Sequence, residues 1–541
     1  MSERKGILES LSDRAAKHPD QVALTSPRGT LTCQQVEALS NQAARAFRNK
    51  GLEKGSRVAL LVTPGPDMMV MAFGLIKIGA VPVMIDPGIG SKNFKTCIEE
   101  SAPEAFFGIP KAHLGRILLG WGKRSVRINV LAGPSIPFLG TGLHSLLRQE
   151  SPAPPDWKFP GPDEQAAIVF TSGSTGPSKG VVYTHRMFLA QAAMQKEQFD
   201  IKPGEVDLAT FPLFAMFDPF WETMTVFPDM DFTRPGQVNP RKLIATIKKF
   251  SATHMFGSPA LLHGVSAYGE ARNIKLPSLK RVFSAGAPVP LSVIRKMAGL
   301  LPPDGKLHTP YGATEALPVS TIAHDELLRL EQDIPAGSGT CIGRCLPGVS
   351  LDIIKITDDP ITNWETSLLV KPGEVGELVV HGDNVSRNYF RRPDADRLAK
   401  IGSDDGTVRH RMGDLGRLDN EGRIWFCGRK SHRVTTASGE IYSVLAEGVF
   451  NQHPAVLRSA LAGIGKTPDQ VPVICIELRK TTNKSASTLN ELTAELLRIA
   501  ESHDCTRQIK NILYHPGFPV DVRHNSKISR EKLALWAEEQ V

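Results

Sequence analysis

A loop rich in glycine and hydroxyl side chains follows a short apolar run in the first third of the chain. Residues 166–172 read AAIVFTS, which is typical of a buried strand, and residues 171–180 read TSGSTGPSKG. Glycines let backbone N–H groups turn towards an anion, hydroxyls add donors, and Lys179 adds a positive charge. Because flexible linkers rarely follow a buried strand directly, we interpret the loop as a phosphate-binding site.

Two widespread motifs do not fit this loop. A Walker A sequence needs Gly immediately before the Lys and Ser or Thr after it, whereas Ser178 precedes Lys179 and Gly180 follows it. A nucleophile elbow needs the spacing Gly-x-Ser-x-Gly, which the loop lacks. The sequence therefore disfavours a P-loop ATPase and a serine hydrolase.

Further motifs with residue types suited to binding or catalysis follow along the chain. YGATE at 311–315 combines an aromatic ring, suited to stacking on a base, with a carboxylate, suited to binding Mg²⁺. SAGAPV at 284–289, MGDLGRLD with Asp414, CGRK with Arg429 and RHNSKISREKL with Lys527 come in this order. Each motif alone is explained by a turn or by a solvated surface charge. Their common order is what indicates a function.

In this order and spacing, the motifs resemble the signatures of the acyl-adenylate-forming superfamily of acyl-CoA synthetases, luciferases and peptide-synthetase adenylation domains. The resemblance extends over nearly the whole chain and implies that ATP and Mg²⁺ are the cofactors. The nucleotide-binding residues it implies are Thr171, Ser172, Gly173, Ser174, Thr175, Gly176, Lys179, Gly286, Ala287, Pro288, Tyr311, Gly312, Asp414 and Arg429.

The resemblance also implies individual roles. Tyr311 stacks on adenine, Thr314 contacts phosphate, and Glu315 holds Mg²⁺. Asp414 accepts hydrogen bonds from the ribose hydroxyls, and Lys527 bridges the substrate carboxylate and the phosphate. In the implied reaction a carboxylate attacks the α-phosphorus of ATP, which gives acyl-AMP and pyrophosphate, and a nucleophile then displaces AMP.

Several stretches resemble more narrowly the β-lactone synthetases of bacterial long-chain olefin biosynthesis. These stretches are FPLFAMFDPF, PDMDFTRP, FGSPALL, TPYGATEALPV, GRKSHRV and VDVRHNSKI. This resemblance implies a long-chain 2-alkyl-3-hydroxy fatty acid, whose own 3-hydroxyl closes on the acyl-AMP to give a β-lactone. Other enzymes of olefin biosynthesis are then candidate partners. An intramolecular attack needs no second binding site and reaches effective molarities on the order of 10⁵ M.

Three positions depart from the superfamily pattern. Ser178 stands where Pro is usual, Ala215 where His is usual, and Ser431 where a hinge Asp or Lys is usual. The Gly after the hinge, Gly439, also comes about one residue late. Because this hinge segment helps to build the thiol tunnel in CoA ligases, the departures disfavour CoA as the acceptor.

The substitution at residue 215 leaves an apolar wall beside an acidic residue. The candidate substrate residues are Phe214, Ala215, Met216, Phe217, Asp218 and His308. Asp218 and His308 are hypothetical bases for the 3-hydroxyl, and Asp218 is equally explained as a turn residue. Two other functions remain as alternatives: a long-chain fatty acid–CoA ligase, and a subunit that passes acyl-AMP to a partner.

The elements around the motifs predict an α/β fold. Short apolar runs such as RVALLV and VPVMID alternate with segments of helical spacing such as LTCQQVEALSNQAARAFRNKG, which favours parallel-rich sheets covered by helices. GVSLDIIKI and GEVGELVVHG predict a small β-subdomain. We expect an N-terminal adenylation domain over residues 1–429 and a small, mobile α+β domain over residues 430–541 that carries Lys527.

The composition is that of a soluble globular protein. The chain of 541 residues is 41% hydrophobic and 22% charged, with a net charge of +8. No long basic block or nucleic-acid motif appears, so we expect no nucleic-acid partner. The longest apolar stretch, residues 68–85, contains Lys77, Gly79 and Pro82, which disfavours an integral membrane segment. Seven scattered cysteines and a charged N-terminus predict a cytoplasmic protein.

Overall fold

The computed structural model describes residues 6–170, 178–482, 485–520 and 528–541. Within these ranges the helices are α1 (Ile7–Lys17), α2 (Cys33–Asn49), α3 (Pro66–Lys77), α4 (Ser91–Ser101), α5 (Pro110–Leu119), α6 (Leu143–Leu147), α7 (His185–Gln198), α8 (Asp218–Trp221), α9 (Pro240–Phe250), α10 (Pro259–Glu270), α11 (Leu291–Ala298), α12 (His324–Asp333), α13 (Pro393–Ala399), α14 (Ser443–Phe450), α15 (Ala486–Glu501) and α16 (Arg530–Glu538).

Most of the strands in the same ranges are short. They are β1 (Val22–Ser26), β2 (Gly29–Thr32), β3 (Arg57–Leu61), β4 (Val81–Met84), β5 (Ala105–Gly108), β6 (Ile128–Leu131), β7 (Thr141–Gly142), β8 (Gln165–Phe170), β9 (Gly180–Thr184), β10 (Val206–Leu208), β11 (Met224–Val226), β12 (His254–Phe256), β13 (Arg281–Phe283), β14 (Lys306–His308), β15 (Tyr311–Ala313), β16 (Ala316–Thr321), β17 (Thr340–Cys341), β18 (Arg344–Cys345), β19 (Ser350–Ile354), β20 (Gly376–His381), β21 (Lys400–Gly402), β22 (Val408–Leu418), β23 (Ile424–Arg429), β24 (Val434–Thr436), β25 (Gly439–Ile441), β26 (Val456–Ile464), β27 (Val471–Leu478) and β28 (Asn511–Tyr514).

Two seven-stranded sheets form the body of the N-terminal part. One has the order β14-β13-β12-β10-β11-β1-β2 and the other β7-β6-β5-β3-β4-β8-β9. In each sheet only the last pair, β1–β2 or β8–β9, is antiparallel. Parallel strands are buried on both faces, which explains their continuous apolar runs. The predicted α/β fold with parallel-rich sheets is confirmed.

Helices cover these sheets and pack closely against one another. Thr32 and Gln35 form a capping box at the start of α2, and the buried face of that helix includes Ala43 and Phe47. A Cβ at Gly74 of α3 would lie 2.7 Å from the Cβ of Ala43, so the glycine permits α2 and α3 to approach closely. Both helices thereby pack their apolar sides into one core with the parallel strands.

Antiparallel strands form the predicted β-subdomain. The sheet order is β17-β23-β22-β20-β19, with β21 on β22. The two Gly-bounded segments noted in the sequence are β19 and β20, which pair in antiparallel register. A separate three-stranded sheet, β15-β16-β18, carries Tyr311 at its edge. Both sheets hold motif residues against the ends of the parallel strands.

The C-terminal part has its own core. Strands β26 to β28 form a three-stranded sheet, and the buried side chains that pack around it run from Val434 to Ile509. The expected boundary between residues 429 and 430 falls where β23 ends and a 3₁₀ turn, Lys430–His432, begins. Movement about this point stays a prediction. Among the helices within the described ranges, none is both long and apolar enough to cross a bilayer.

Candidate active site

The segments predicted to hold adenine lie at the ends of two neighbouring parallel strands. SAGAPV follows β13 and YGATE follows β14, and the Ser284 N–H donates to the His308 carbonyl at 3.0 Å. Gly286 has φ +90°, a conformation that side-chain-bearing residues rarely adopt. Ala287 and Pro288 continue this turn, with Pro288 exposed. The turn therefore presents backbone at the strand ends, and its contact with adenine stays a prediction.

Asp414, Arg429 and Tyr311 form a connected polar group. Asp414 in β22 is the direct antiparallel partner of Arg429 in β23, and Arg429 Nε lies 3.1 Å from Asp414 Oδ1. The Tyr311 hydroxyl donates to Asp414 Oδ2 at 2.5 Å. Burial raises the pKa of Asp414, and the Arg429 guanidinium opposes that rise. The structure thus brings together three residues that the sequence separates by up to 118 positions.

Asp414 keeps acceptor capacity for a ligand. It is buried, and its Oδ1 accepts no well-aligned hydrogen bond from the described residues, although the Arg429 guanidinium lies beside it as an ion-pair partner. The two oxygens of a carboxylate offer about four lone-pair sites, so they accept further donors beside an ion pair. A ribose hydroxyl is such a donor, and the site residues therefore fit a nucleotide.

Glu315 is held by residues that sequence reasoning did not identify. The Tyr389 hydroxyl donates to Glu315 Oε1 at 2.6 Å, and the Tyr183 hydroxyl donates to the Thr314 carbonyl at 2.7 Å. Lys179 Nζ lies 5.0 Å from the centre of the Tyr389 ring. A Cβ at Gly312 would lie 2.7 Å from the Ala316 carbonyl oxygen, which explains the glycine there. The carboxylate is a hard oxygen ligand of the kind Mg²⁺ prefers.

The predicted substrate residues divide between two cores. All four apolar ones lie on one 3₁₀ turn, Phe214–Phe217. Phe214 and Phe217 belong to the same apolar cluster as Tyr183 and Tyr389, the two tyrosines that contact residues 314 and 315. Ala215 and Met216 pack in a different cluster, on the far side of the turn. Of the predicted apolar wall, the two Phe rings are therefore the part that lies in the cluster with Tyr389, and their contact with a substrate stays a prediction.

His308 lies beside the same aromatic cluster. Its ring packs 4.8 Å from the Phe199 ring and 5.8 Å from the Phe283 ring, measured between ring centres. Burial lowers the pKa of His308 to about 4, and its Nδ1 has no hydrogen-bond partner among the described residues. A neutral imidazole with a free nitrogen is able to accept a proton, although its low pKa makes it a weak base.

Two predicted elements of the site lie outside the described residues. They are the loop residues Thr171, Ser172, Gly173, Ser174, Thr175 and Gly176, and the C-terminal Lys527. Their roles stay predictions. Lys179, at the far end of the loop, is among the described residues and lies over the Tyr389 ring.

Comparison with known proteins identifies the family. The model of the family described as AMP-binding enzyme matches residues 11–390. The chain belongs to the AMP-binding enzyme family. Two full-length relatives, each an olefin β-lactone synthetase, come from Xanthomonas campestris pv. campestris and Stenotrophomonas maltophilia. They are 43% and 42% identical to this chain, and each alignment covers 99% of it and 98% of the relative. The predicted membership and the adenylate-forming activity class are confirmed.

Solved structures agree on the fold of this AMP-binding enzyme. The amide bond synthetase McbA from Marinactinospora thermotolerans has a TM-score of 0.78 at 20% identity, over 98% of this chain and 99% of its own. ATP-bound MatB from Rhodopseudomonas palustris has a TM-score of 0.77 at 19% identity, over 99% of both chains. The likeness covers both the N-terminal and the C-terminal parts.

Lys400 lies beside Tyr389, and no sequence signal revealed it. Its Nζ donates to the Ser386 carbonyl at 2.6 Å and to Ser386 Oγ at 2.8 Å, and lies 5.4 Å from the Tyr389 ring centre. Burial lowers the pKa of Lys400 to about 7, against the opposing charge of Glu315. In the sequence it stands among surface charges that look alike, so only folding distinguishes it.

A basic groove opens beside Lys179. Its volume is about 410 Å³, and it is lined by Lys179, Arg391, Arg392, Glu100 and residues 393–395. Arg392 is held by two hydrogen bonds to the Glu100 carboxylate, at 2.9 and 2.6 Å. Three cations and two carboxylates, Glu100 and Asp394, line the groove, so its net charge is weakly positive, and Lys179 joins it to the Tyr389 ring.

Asp218 lies in a buried polar cluster behind the 3₁₀ turn. Its carboxylate accepts hydrogen bonds from the hydroxyls of Thr223 and Thr225, and His254 Nε2 lies 3.8 Å from the neighbouring Asp207 carboxylate. Asp218 also borders a cavity of about 20 Å³ beneath helix α1. Its two acceptor oxygens already have donors, so the geometry favours a structural role. A role as the base stays a prediction.

Replacing Asp218 with Asn is expected to flatten the pH dependence of stability. Burial raises the pKa of Asp218 to about 6, above the value of 3.8 expected when unfolded. Between these values the folded state binds more protons, so the free energy of unfolding falls as pH rises through this window. Two pKa units correspond to a loss on the order of 3 kcal/mol by pH 7. Denaturant titrations from pH 4 to pH 7 measure the effect.

The exposed Asp404 supplies a matched control for that experiment. Asp404→Asn makes the same chemical change without altering a buried group, so we expect its pH profile to follow that of the wild type. Parallel profiles for the Asp218→Asn variant and the wild type would contradict a raised pKa at Asp218.

Proposed function

We propose that the enzyme converts a long-chain 2-alkyl-3-hydroxy fatty acid into a β-lactone and cleaves ATP to AMP and pyrophosphate. The observation that carries the proposal is full-length similarity, at 43% identity, to an olefin β-lactone synthetase. The buried Asp414 carboxylate, which keeps acceptor capacity beside Arg429, supports nucleotide binding in this chain itself. Other olefin-biosynthesis enzymes as partners, and a cytoplasmic location, stay predictions.

In the first half-reaction a substrate carboxylate oxygen attacks the α-phosphorus of ATP, and pyrophosphate leaves. Asp414 and Arg429 hold the ribose, Tyr311 stacks on adenine, and Thr314 contacts the phosphate. Glu315 binds Mg²⁺, which when bound withdraws charge from the phosphoryl oxygens. The loop at residues 171–176 and Lys179 hold the leaving phosphates, and Lys527 bridges the carboxylate and the phosphate. Catalysis of this kind rests mainly on positioning and electrostatics.

In the second half-reaction the 3-hydroxyl oxygen forms a bond to the acyl carbon. The bond between that carbon and the phosphate oxygen breaks, and AMP leaves with the electron pair. The hydroxyl proton passes to a base, for which Asp218 and His308 are the candidates. Strain in the four-membered ring opposes closure, so the apolar side chains of Phe214 and Phe217 are needed to exclude water and hold a near-attack geometry.

Product analysis with and without CoA tests the proposed function. The enzyme is supplied with ATP, Mg²⁺ and a racemic long-chain 2-alkyl-3-hydroxy acid, and the products are identified by mass spectrometry and NMR. We expect β-lactone and AMP in equal amounts, at a rate that CoA leaves unchanged. The physical reason is that the acceptor hydroxyl belongs to the activated molecule itself.

The matched control is the same acid without its 3-hydroxyl. It should still support ATP–pyrophosphate exchange, because adenylation needs only the carboxylate, but it should give no lactone. A thioester formed only when CoA is present would establish the CoA ligase instead. Stable acyl-AMP that reacts only after a second protein is added would establish transfer to a partner.

A further inference from the structure

Helix α5 presents apolar side chains to solvent. Leu118 is 74% exposed, Leu114 is 51% exposed and Ile117 is 50% exposed. Together with Leu119 they make up four of the twelve exposed large apolar residues found among those the structure describes. Residues 114, 117 and 118 have the spacing of neighbours on one helix face. Single exposed leucines need no explanation, whereas a cluster on one face indicates an interaction surface.

The buried side of α5 fixes this orientation. His113 is fully buried, and its Nε2 lies 3.0 Å from the Val130 carbonyl oxygen of β6. Its ring packs edge-on against the Phe106 ring at 4.9 Å between centres, and Arg116 lies over the same ring. Because these contacts tie the inner face to the parallel sheet, the helix cannot turn its leucines inward.

The chain around α5 is uniformly basic. From residue 105 to residue 149 the sequence contains six Lys or Arg and not one Asp or Glu. Lys123 and Arg124 lie in the turn after the helix end at Leu119, Arg127 immediately precedes β6, and all three are exposed. With six positive and no negative side chains, this stretch accounts for a large share of the chain's net charge of +8. Apolar side chains beside a run of cations complement an anionic lipid surface, where both kinds of contact form at once.

We propose that α5 and the basic turn after it dock the protein onto an anionic membrane surface. Leu114, Ile117 and Leu118 insert among the acyl chains, and Lys123, Arg124 and Arg127 contact the lipid headgroups. The helix lies in the interface and does not span the bilayer. The proposal does not depend on the acceptor in the second half-reaction. It would also place the enzyme where a water-insoluble long-chain acid resides.

Vesicle co-sedimentation of the full chain tests the docking surface. Two vesicle types are used: phosphatidylcholine alone, and phosphatidylcholine mixed equally with phosphatidylglycerol. We expect binding to the mixed vesicles that weakens as salt is raised. Each cation near such a surface contributes about fivefold to binding, so the triple variant Lys123→Glu, Arg124→Glu, Arg127→Glu should lose at least 100-fold. Leu114→Gln with Leu118→Gln should lose at least about tenfold.

A matched charge control separates the surface from net charge. The triple variant Lys371→Glu, Lys466→Glu, Lys480→Glu changes charge equally at exposed positions elsewhere. It should retain most of the binding. Unchanged ATP–pyrophosphate exchange in all variants would confirm folding. Absence of binding to the mixed vesicles, equal losses in the two triple variants, or leucine-dependent self-association without vesicle binding would overturn the proposal.

Discussion

Replacing Glu315 with Gln is expected to lower ATP–pyrophosphate exchange by about 10³-fold, whereas AMP binding changes by less than about threefold. A bound metal supplies several kcal/mol of transition-state stabilisation, and a neutral amide is a poor ligand for it. Gln keeps the size of the side chain and an oxygen for the Tyr389 hydroxyl, which donates to Glu315 at 2.6 Å. The measurement is isotope exchange at saturating ATP and several Mg²⁺ concentrations, with calorimetry for AMP.

Tyr389→Phe provides the control for this result. It removes the hydroxyl that positions Glu315 and leaves the carboxylate in place, so a smaller loss of about tenfold is expected, near the value of one hydrogen bond to a charged group. Higher Mg²⁺ should restore part of the Tyr389→Phe activity and little of the Glu315→Gln activity. Exchange at the wild-type rate in the Glu315→Gln variant would contradict the assignment of Glu315.

Replacing Asp414 with Asn is expected to lower kcat/KM for ATP by between about 10² and 10⁴-fold. Two hydrogen bonds from ribose hydroxyls to a carboxylate contribute about 1.5 to 3 kcal/mol each. The substitution also leaves the Arg429 guanidinium, now 3.1 Å from Asp414 Oδ1, without its counter-charge. Initial rates of adenylation at varied ATP concentration measure the loss.

A thermodynamic cycle separates the ribose contact from the ion pair by combining the Asp414→Asn variant with the nucleotide 2′,3′-dideoxy-ATP. If Asp414 receives the ribose hydroxyls, the wild type should lose most of its preference for ATP over the dideoxy nucleotide when Asp414 becomes Asn. The variant should then use both nucleotides almost equally. Equal preference ratios in wild type and variant would show that Asp414 does not contact the ribose, whatever the size of the activity loss. Thermal unfolding of the variant checks that the fold is retained.

Local patterns predicted the elements well, because their signals are short-range. The run RVALLV became β3 (Arg57–Leu61), and the segment LTCQQVEALSNQAARAFRNKG became α2, which starts at the Thr32 cap. Local patterns do not predict the order of the strands in the sheets. Strand β1 pairs with β11, about two hundred residues away, and that pairing follows from burial of apolar faces in the folded molecule.

The sequence by itself determined which chemistry the site supports, since the motif residues carry the charges, rings and hydroxyls in an order that resembles one superfamily. Only the tertiary structure decided which side chains support them. Tyr389 reaches Glu315 from 74 positions away, and Lys400 lies beside both because β21 pairs with β22. The tertiary structure also distributes the side chains of the FPLFAMFDPF stretch between two cores. It places Asp218 behind the 3₁₀ turn Phe214–Phe217. Such contacts join residues distant in the chain, so they arise from packing and not from local pattern.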